Sequence, residues 1–306
     1  MKLSSDLRCF CDHLVRKFGS PGASSEEQKA DEFRNVYLKG LPFNMRTLRA
    51  VASCCGINLN GLDKMPHNLR GYHEVFGSNK NIYFKKDDSL SGQQNTILHE
   101  IREMMETLFA EAEPSYDALR TSARHLAANR FATAVLLPKD DFTQKAYETG
   151  LDIVELASFY SKSCAQVLLR MGEVLQGKLF VYSALYEPCG EGSSAWQVAY
   201  WTGCHNEEEP EANVYYSDGL FPKKGRYAPP GSLIDLAIKT RKPHLAHIAP
   251  TDDDDNSLLA LTRPLIISGE LTKALLTTVL STDRRLIEPQ IERLKPIDIG
   301  GLRKLL

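Results

Sequence analysis

The spacing of apolar and polar positions divides the chain into a helical opening, a central helix pair and a mixed closing region. Leu7, Phe10, Leu14 and Val15 fall on one helical stripe and Leu48, Val51, Ala52 and Cys55 on another, so the chain to about Gly61 is predicted to be helical. A loop rich in Asn, Gly and Pro follows. Asn81-Ile82-Tyr83-Phe84-Lys85 then reads as a short strand, closed by Asp87, Asp88, Ser89, Ser91 and Gly92. From Asn95 the period changes: Ile97, Ile101, Met104, Met105 and Leu108 mark one face of a helix. A second helix is predicted from about Tyr116 to Leu137, stopped by Pro138, with Ala127, Ala128, Ala132 and Ala134 small enough for another helix to approach closely.

From Gly150 to Gly172 the pattern is two short helices around the turn Tyr160-Ser161-Lys162, a helix-turn-helix arrangement. Beyond Gly177 the character changes again. Leu179–Ser183 and Gln197–Trp201 are strand-like, a helix is predicted near Leu233–Lys239, and Ala274–Leu280 is strand-like. That mixture predicts a separate α+β domain.

At 306 residues, 42% hydrophobic and 25% charged, the chain has material for two or three cores. A formal net charge of -2 gives no global attraction to nucleic acid or an anionic membrane. The opening residues carry charge where a signal peptide needs an apolar run, and no later run is long enough to span a bilayer, so a cytoplasmic location and no membrane partner are expected. Seven cysteines, odd in number and without C-x-x-C spacing, read as reduced, mostly buried thiols. Asp252–Asp255 lacks the spacing of an EF-hand loop and is expected to be a solvated loop, as is Glu207–Glu211 beside His205. His244 and His247 follow Pro243, which argues against a helical i+3 metal pair, and they are taken as structural.

The chemistry concentrates in His99-Glu100-Ile101-Arg102-Glu103. Residues four apart leave a helix on the same face, so His99 and Glu103 could hold one ion, with Glu100 about 100° round. This is the H-E-x-x-H zinc helix with glutamate in place of its second histidine.

The segment Asn95-Thr96-Ile97-Leu98-His99-Glu100, followed by Ala128-Asn129-Arg130-Phe131-Ala132 and Leu136-Leu137-Pro138, resembles the ImmA/IrrE family of metallopeptidases. Leu69-Arg70-Gly71-Tyr72 and the helix-turn-helix run sit where that family has similar segments, so the resemblance covers roughly residues 40–175. In the family a glutamate ligand stands four residues before the asparagine; here that position is His125. The two departures compensate, because His99, Glu103 and His125 still supply two imidazoles and one carboxylate. The resemblance implies a zincin-like α+β peptidase domain over residues 1–140, a helix-turn-helix-like region over 141–177 and a GAF-like sensory domain over 178–306.

It further implies one Zn2+, with Mn2+ or another divalent ion as the alternative, held by His99, Glu103 and His125, with Glu100 as the general base. His73 and Tyr83 are the candidate oxyanion donors, and the strand Lys80–Lys85 is expected to align an extended peptide by strand addition. The implied activity is cleavage of a specific protein, an XRE-type transcriptional repressor, in a stress or mobile-element response. The alternative is a non-catalytic regulator, a pseudopeptidase, binding such a repressor or DNA. DNA is the less favoured partner: Lys162 and Arg170 flank the second helix of the helix-turn-helix, but Cys164, Ala165, Val167 and Leu168 give it an apolar surface suited to the peptidase core or a protein partner.

Overall fold

Leu7, Phe10 and Leu14 are buried, with Cys11 rather than Val15 completing the stripe, on helix α1 (Leu7–Phe18). In the computed structural model the described residues are 6–66, 69–77, 79–113, 116, 119–190, 193–204, 221–248, 257–294 and 297–298. His205, Glu207–Glu211 and Asp252–Asp255 lie outside them. The chain is α+β and divides into two compact units, residues 1–139 and 140–306. No described helix is long and apolar enough to cross a membrane.

In the first unit α1 is followed by α2 (Glu26–Phe33) and α3 (Met45–Cys54). Each of the last two begins with a capping box, Ser25 with Gln28 and Asn44 with Thr47, which satisfies otherwise orphaned backbone N–H groups. Helix α4 (Leu90–Ala112), capped by Ser89, runs through the middle: Ile97, Ile101, Met104, Met105 and Leu108 are all buried, as their spacing predicts. Helix α5 (Thr121–Leu136) packs along it, burying the four alanines. Phe131 of α5 meets Phe33 edge-on at 5.5 Å, and Phe33 meets Phe10 at 5.7 Å, tying α5, α2 and α1 into one aromatic core.

The helical expectation up to Gly61 fails at its end. Ile57–Leu62 is a strand, β1, and Gly71–Phe76 is a second, β2. Asn58, Asn60 and Gly61 are poor strand formers, and β1 exists because it pairs in parallel with β3 (Asn79–Lys85), the strand the sequence did predict. The sheet order is β1-β3-β2, with β2 antiparallel to β3. The strand expected to accept a peptide, Lys80–Lys85, is therefore central and paired on both sides. The free edge beside α4 belongs to β2.

In the second unit α6 (Lys139–Glu148) leads into α7 (Ile153–Tyr160) and α8 (Cys164–Leu175), joined at the predicted turn, where Ser161 adopts a left-handed conformation. A six-stranded sheet follows, formed by β4 (Val181–Pro188), β5 (Trp196–Cys204), β6 (His244–Ile248), β7 (Leu258–Ile267), β8 (Glu270–Leu280) and β9 (Ile297–Asp298). Its order is β5-β4-β8-β7-β6-β9. Val181–Tyr186 is buried without alternation because both faces of the sheet are covered. One face, with Tyr182, Ala184, Tyr186 and Leu276, packs with Leu233 and Ile234 of α9 (Leu233–Thr240). The apolar surface of α8 is taken up by β4 and β5. A Cβ at Gly172 would overlap the Thr202 side chain, so only glycine allows this approach. All seven cysteines are free; Cys11, Cys55, Cys164 and Cys204 are buried, and burial pushes the Cys204 thiol up to about 11 and that of Cys55 to about 12. The four buried thiols are packing groups.

Candidate metal centre

On α4, His99 and Glu103 leave the same face, and His99 Nε2 lies 3.3 Å from Glu103 Oε1. The alanines of α5 bring that helix close enough for His125 Nδ1 to reach the same oxygen at 2.7 Å. The two imidazole rings meet edge-on at 4.5 Å, and one candidate donor atom from each of the three residues lies within 4.8 Å of the others. His99 Nδ1 is 2.9 Å from Asn129 Oδ1. An amide oxygen can only accept, so the proton sits on Nδ1 and the Nε2 lone pair faces the cluster.

Glu103 is the hub. Its second carboxylate oxygen lies 3.1 Å from Arg124 Nε, and Arg124 Nη2 donates to the Glu103 backbone carbonyl at 2.7 Å. Burial alone would raise this carboxyl, but the His125 hydrogen bond and the charges of Arg124, His99 and His125 outweigh it and hold the group below the usual carboxylate range. Glu103 is thus anionic at neutral pH. His99 and Glu103 are nearly enclosed, with side chains 10% and 15% exposed, while the His125 side chain is 66% exposed.

Glu100, round the helix, has a different partner: its Oε2 is 2.7 Å from His73 Nδ1. The strand register explains why. His73 pairs with Ile82, whose buried side chain faces the helices, whereas Tyr83 pairs with Tyr72 and stacks on it at 4.7 Å on the opposite face. Of the two expected oxyanion donors, only His73 is beside Glu100. Gly71 makes this approach available, because a Cβ there would collide with Thr96 of α4 and lie 2.8 Å from the Tyr83 carbonyl.

Arg102 and Glu106 are each 1% exposed. Arg102 donates to both Glu26 oxygens at 2.7 and 2.8 Å and to Glu106 at 2.8 Å. Glu106 also accepts from Tyr116 and the Leu119 N–H, each at 2.7 Å. This network fixes α4 against α2 and against the chain entering α5, and so sets where His99 and Glu103 meet His125. Glu26 lies 76 residues before Arg102, beyond the reach of any local sequence pattern.

Two imidazoles and an ionised carboxylate converging from two helices, with a hydrogen-bond acceptor orienting one imidazole, fit a divalent metal ion. The helix pair over a small mixed sheet is a zincin-like fold, and this donor set is metallopeptidase-like.

Residues 52–171 match the family model of Peptidase_M78, described as the IrrE N-terminal-like domain. The chain therefore carries an IrrE N-terminal-like domain of that peptidase family, as the sequence resemblance implied. No curated protein matches it. Among solved structures it is similar to a Mycobacterium tuberculosis transcriptional regulator, with a TM-score of 0.57 and 13% identity over 96% of this chain and 88% of that one. At that identity the likeness is one of fold.

Proposed function

We propose that this protein is a cytoplasmic zinc-dependent endopeptidase that cleaves one specific protein, with His99, Glu103 and His125 as ligands and Glu100 as the general base. The observation that carries the proposal is the meeting of those three side chains across α4 and α5 while Glu100 is held apart from them by His73. A zinc ion bound there would lower the pKa of a water and polarise a substrate carbonyl. His73 occupies Glu100 Oε2, leaving Oε1 to take a proton from water and return it to the departing amine. The free edge of β2 offers backbone hydrogen bonds to an extended peptide, which suits an exposed loop or terminus of a folded substrate. The family resemblance supplies the substrate class, an XRE-type repressor, and with it a role in a stress or mobile-element response.

The same proposal assigns the peptidase activity to residues 1–140 and a regulatory role to residues 141–177 and 178–306, the last as a GAF-like sensory domain. A sheet that is antiparallel except for β9, with both faces of β4 covered, supports that reading.

A second reading is favoured by Arg124 and His125. A guanidinium already pairs with Glu103, and His125 is largely exposed, as would suit a pseudopeptidase that binds a repressor without cutting it. The fold neighbour's description as a transcriptional regulator agrees with such a role. Elemental analysis of purified protein, together with cleavage of a candidate repressor by wild type and Glu100→Gln, separates the two. Peptidase action predicts near-unit zinc and a fall in cleavage of roughly 10²–10⁴-fold in the variant, with metal retained. Metal-free protein, or a biological response that survives Glu100→Gln at normal abundance, establishes the binding role instead.

A further inference from the structure

We propose that the second unit binds a small organic anion with a short apolar tail, in a cavity of about 300 Å³ lined by His247, Leu259, Ser281, Arg284 and Ile291. His247 of β6 and Leu259 of β7 are register partners on one face of the sheet. Ser281 and Arg284 come from the 3-10 turn after β8, and Ile291 from the helix Glu288–Arg293. The lining comes from four separate elements of residues 140–306, so the inference stands apart from the peptidase reading.

The hydrogen bonds around the cavity define what it offers. Ser257, buried at 1% exposure, shares a hydrogen bond with Ser281 Oγ at 2.5 Å and lies 2.9 Å from His247 Nε2. The three groups form one hydrogen-bonded chain, His247–Ser257–Ser281, along one side of the cavity. Ser281, at the end of that chain, lines the cavity with its neighbour Arg284. Arg284 makes no hydrogen bond or ion pair among the described residues, and its guanidinium carries five donors. No carboxylate occurs in the described lining. Arg284, Ser281 and His247 therefore line one space together with the apolar side chains of Leu259 and Ile291.

That combination selects a carboxylate or phosphate monoester for the polar end and a few methylenes for the rest. The volume lies at the lower end of the range for ligand sites, which favours a metabolite-sized molecule over a nucleotide.

The test is titration calorimetry of the full chain with hexanoate, hexyl phosphate and 1-hexanol. Either anion should bind at one site per chain, and Arg284→Gln should weaken it by about tenfold or more, the scale of a charge-assisted hydrogen bond. The ratio of the two acids tells a carboxylate site from a phosphate site. Arg284 is exposed, so the variant should melt as wild type does. Failure of both acids to give saturable binding, unchanged affinity in Arg284→Gln, or hexanol binding as tightly as hexanoate would each overturn the proposal.

Discussion

His125→Ala separates a metal ligand from a packing residue more cleanly than any other change at the centre. The side chain is 66% exposed, and its removal leaves Glu103 with Arg124 at 3.1 Å, so the metal-free protein loses one exposed hydrogen-bonded pair. That is a loss of under about 1 kcal/mol. The metal-bound protein loses much more. Zinc binding of about 10–16 kcal/mol, shared over four coordination positions, gives roughly 3 kcal/mol per donor, or about two orders of magnitude in Kd. The assay is a zinc titration against a competing chelator, with thermal melts of the metal-free proteins run alongside. His99→Ala is the contrast: His99 is buried and bonded to Asn129, so that variant should lose both zinc and stability. If His125→Ala binds zinc as tightly as wild type, the assignment of His125 as a ligand is wrong. If its metal-free melt falls as far as that of His99→Ala, His125 is holding the helices together instead.

Glu106→Gln should destabilise the protein at pH 7 by roughly 3 kcal/mol, by breaking a buried ion pair. Burial raises the Glu106 carboxyl, but bonds from Arg102, the Leu119 N–H and Tyr116 outweigh it and lower it, so its stabilisation is present above the unfolded value of about 4.3 and lost as pH falls through the folded one. The gap between wild type and variant in denaturant melts should accordingly narrow at low pH; a gap that stays constant from pH 7 to pH 3 refutes the charge-based account. Residues 140–306 expressed alone should melt cooperatively, whereas residues 178–306 lack the helices that cover β4 and β5 and should bind hydrophobic dyes; equal behaviour of the two fragments would refute that dependence.

Much of the centre was legible because it is local. The four-residue spacing of His99 and Glu103 needs only a helix, whereas His125 was reached through the family resemblance, as the position four before Asn129. What escaped the sequence depends on contacts between distant residues. Arg124 is an ordinary surface arginine until α4 lies beside it, and its contact with Glu103 spans 21 positions. β1 has no strand pattern of its own and is created by its neighbour β3, while β6 and β7 are invisible without the sheet they complete. His244 and His247 were read as structural. They fall on opposite faces of β6, His244 bonded to Thr240 at 2.7 Å, so they share no ion and only His247 reaches the cavity.

Gly71 carries a consequence for how damage to this protein would be distributed along its sequence. It contributes no donor, no charge and no contact with a substrate, yet it is the place where β2 comes down on α4, and any side chain there must push Thr96 or the Tyr83 carbonyl aside. The displacement would be transmitted two residues along the strand to His73 and from there to the carboxylate of Glu100. In a screen of random variants, position 71 should therefore group with His73 and Glu100 and not with the core: a protein of normal abundance with the proposed activity lost, whose lesion is a methyl group where only a hydrogen fits.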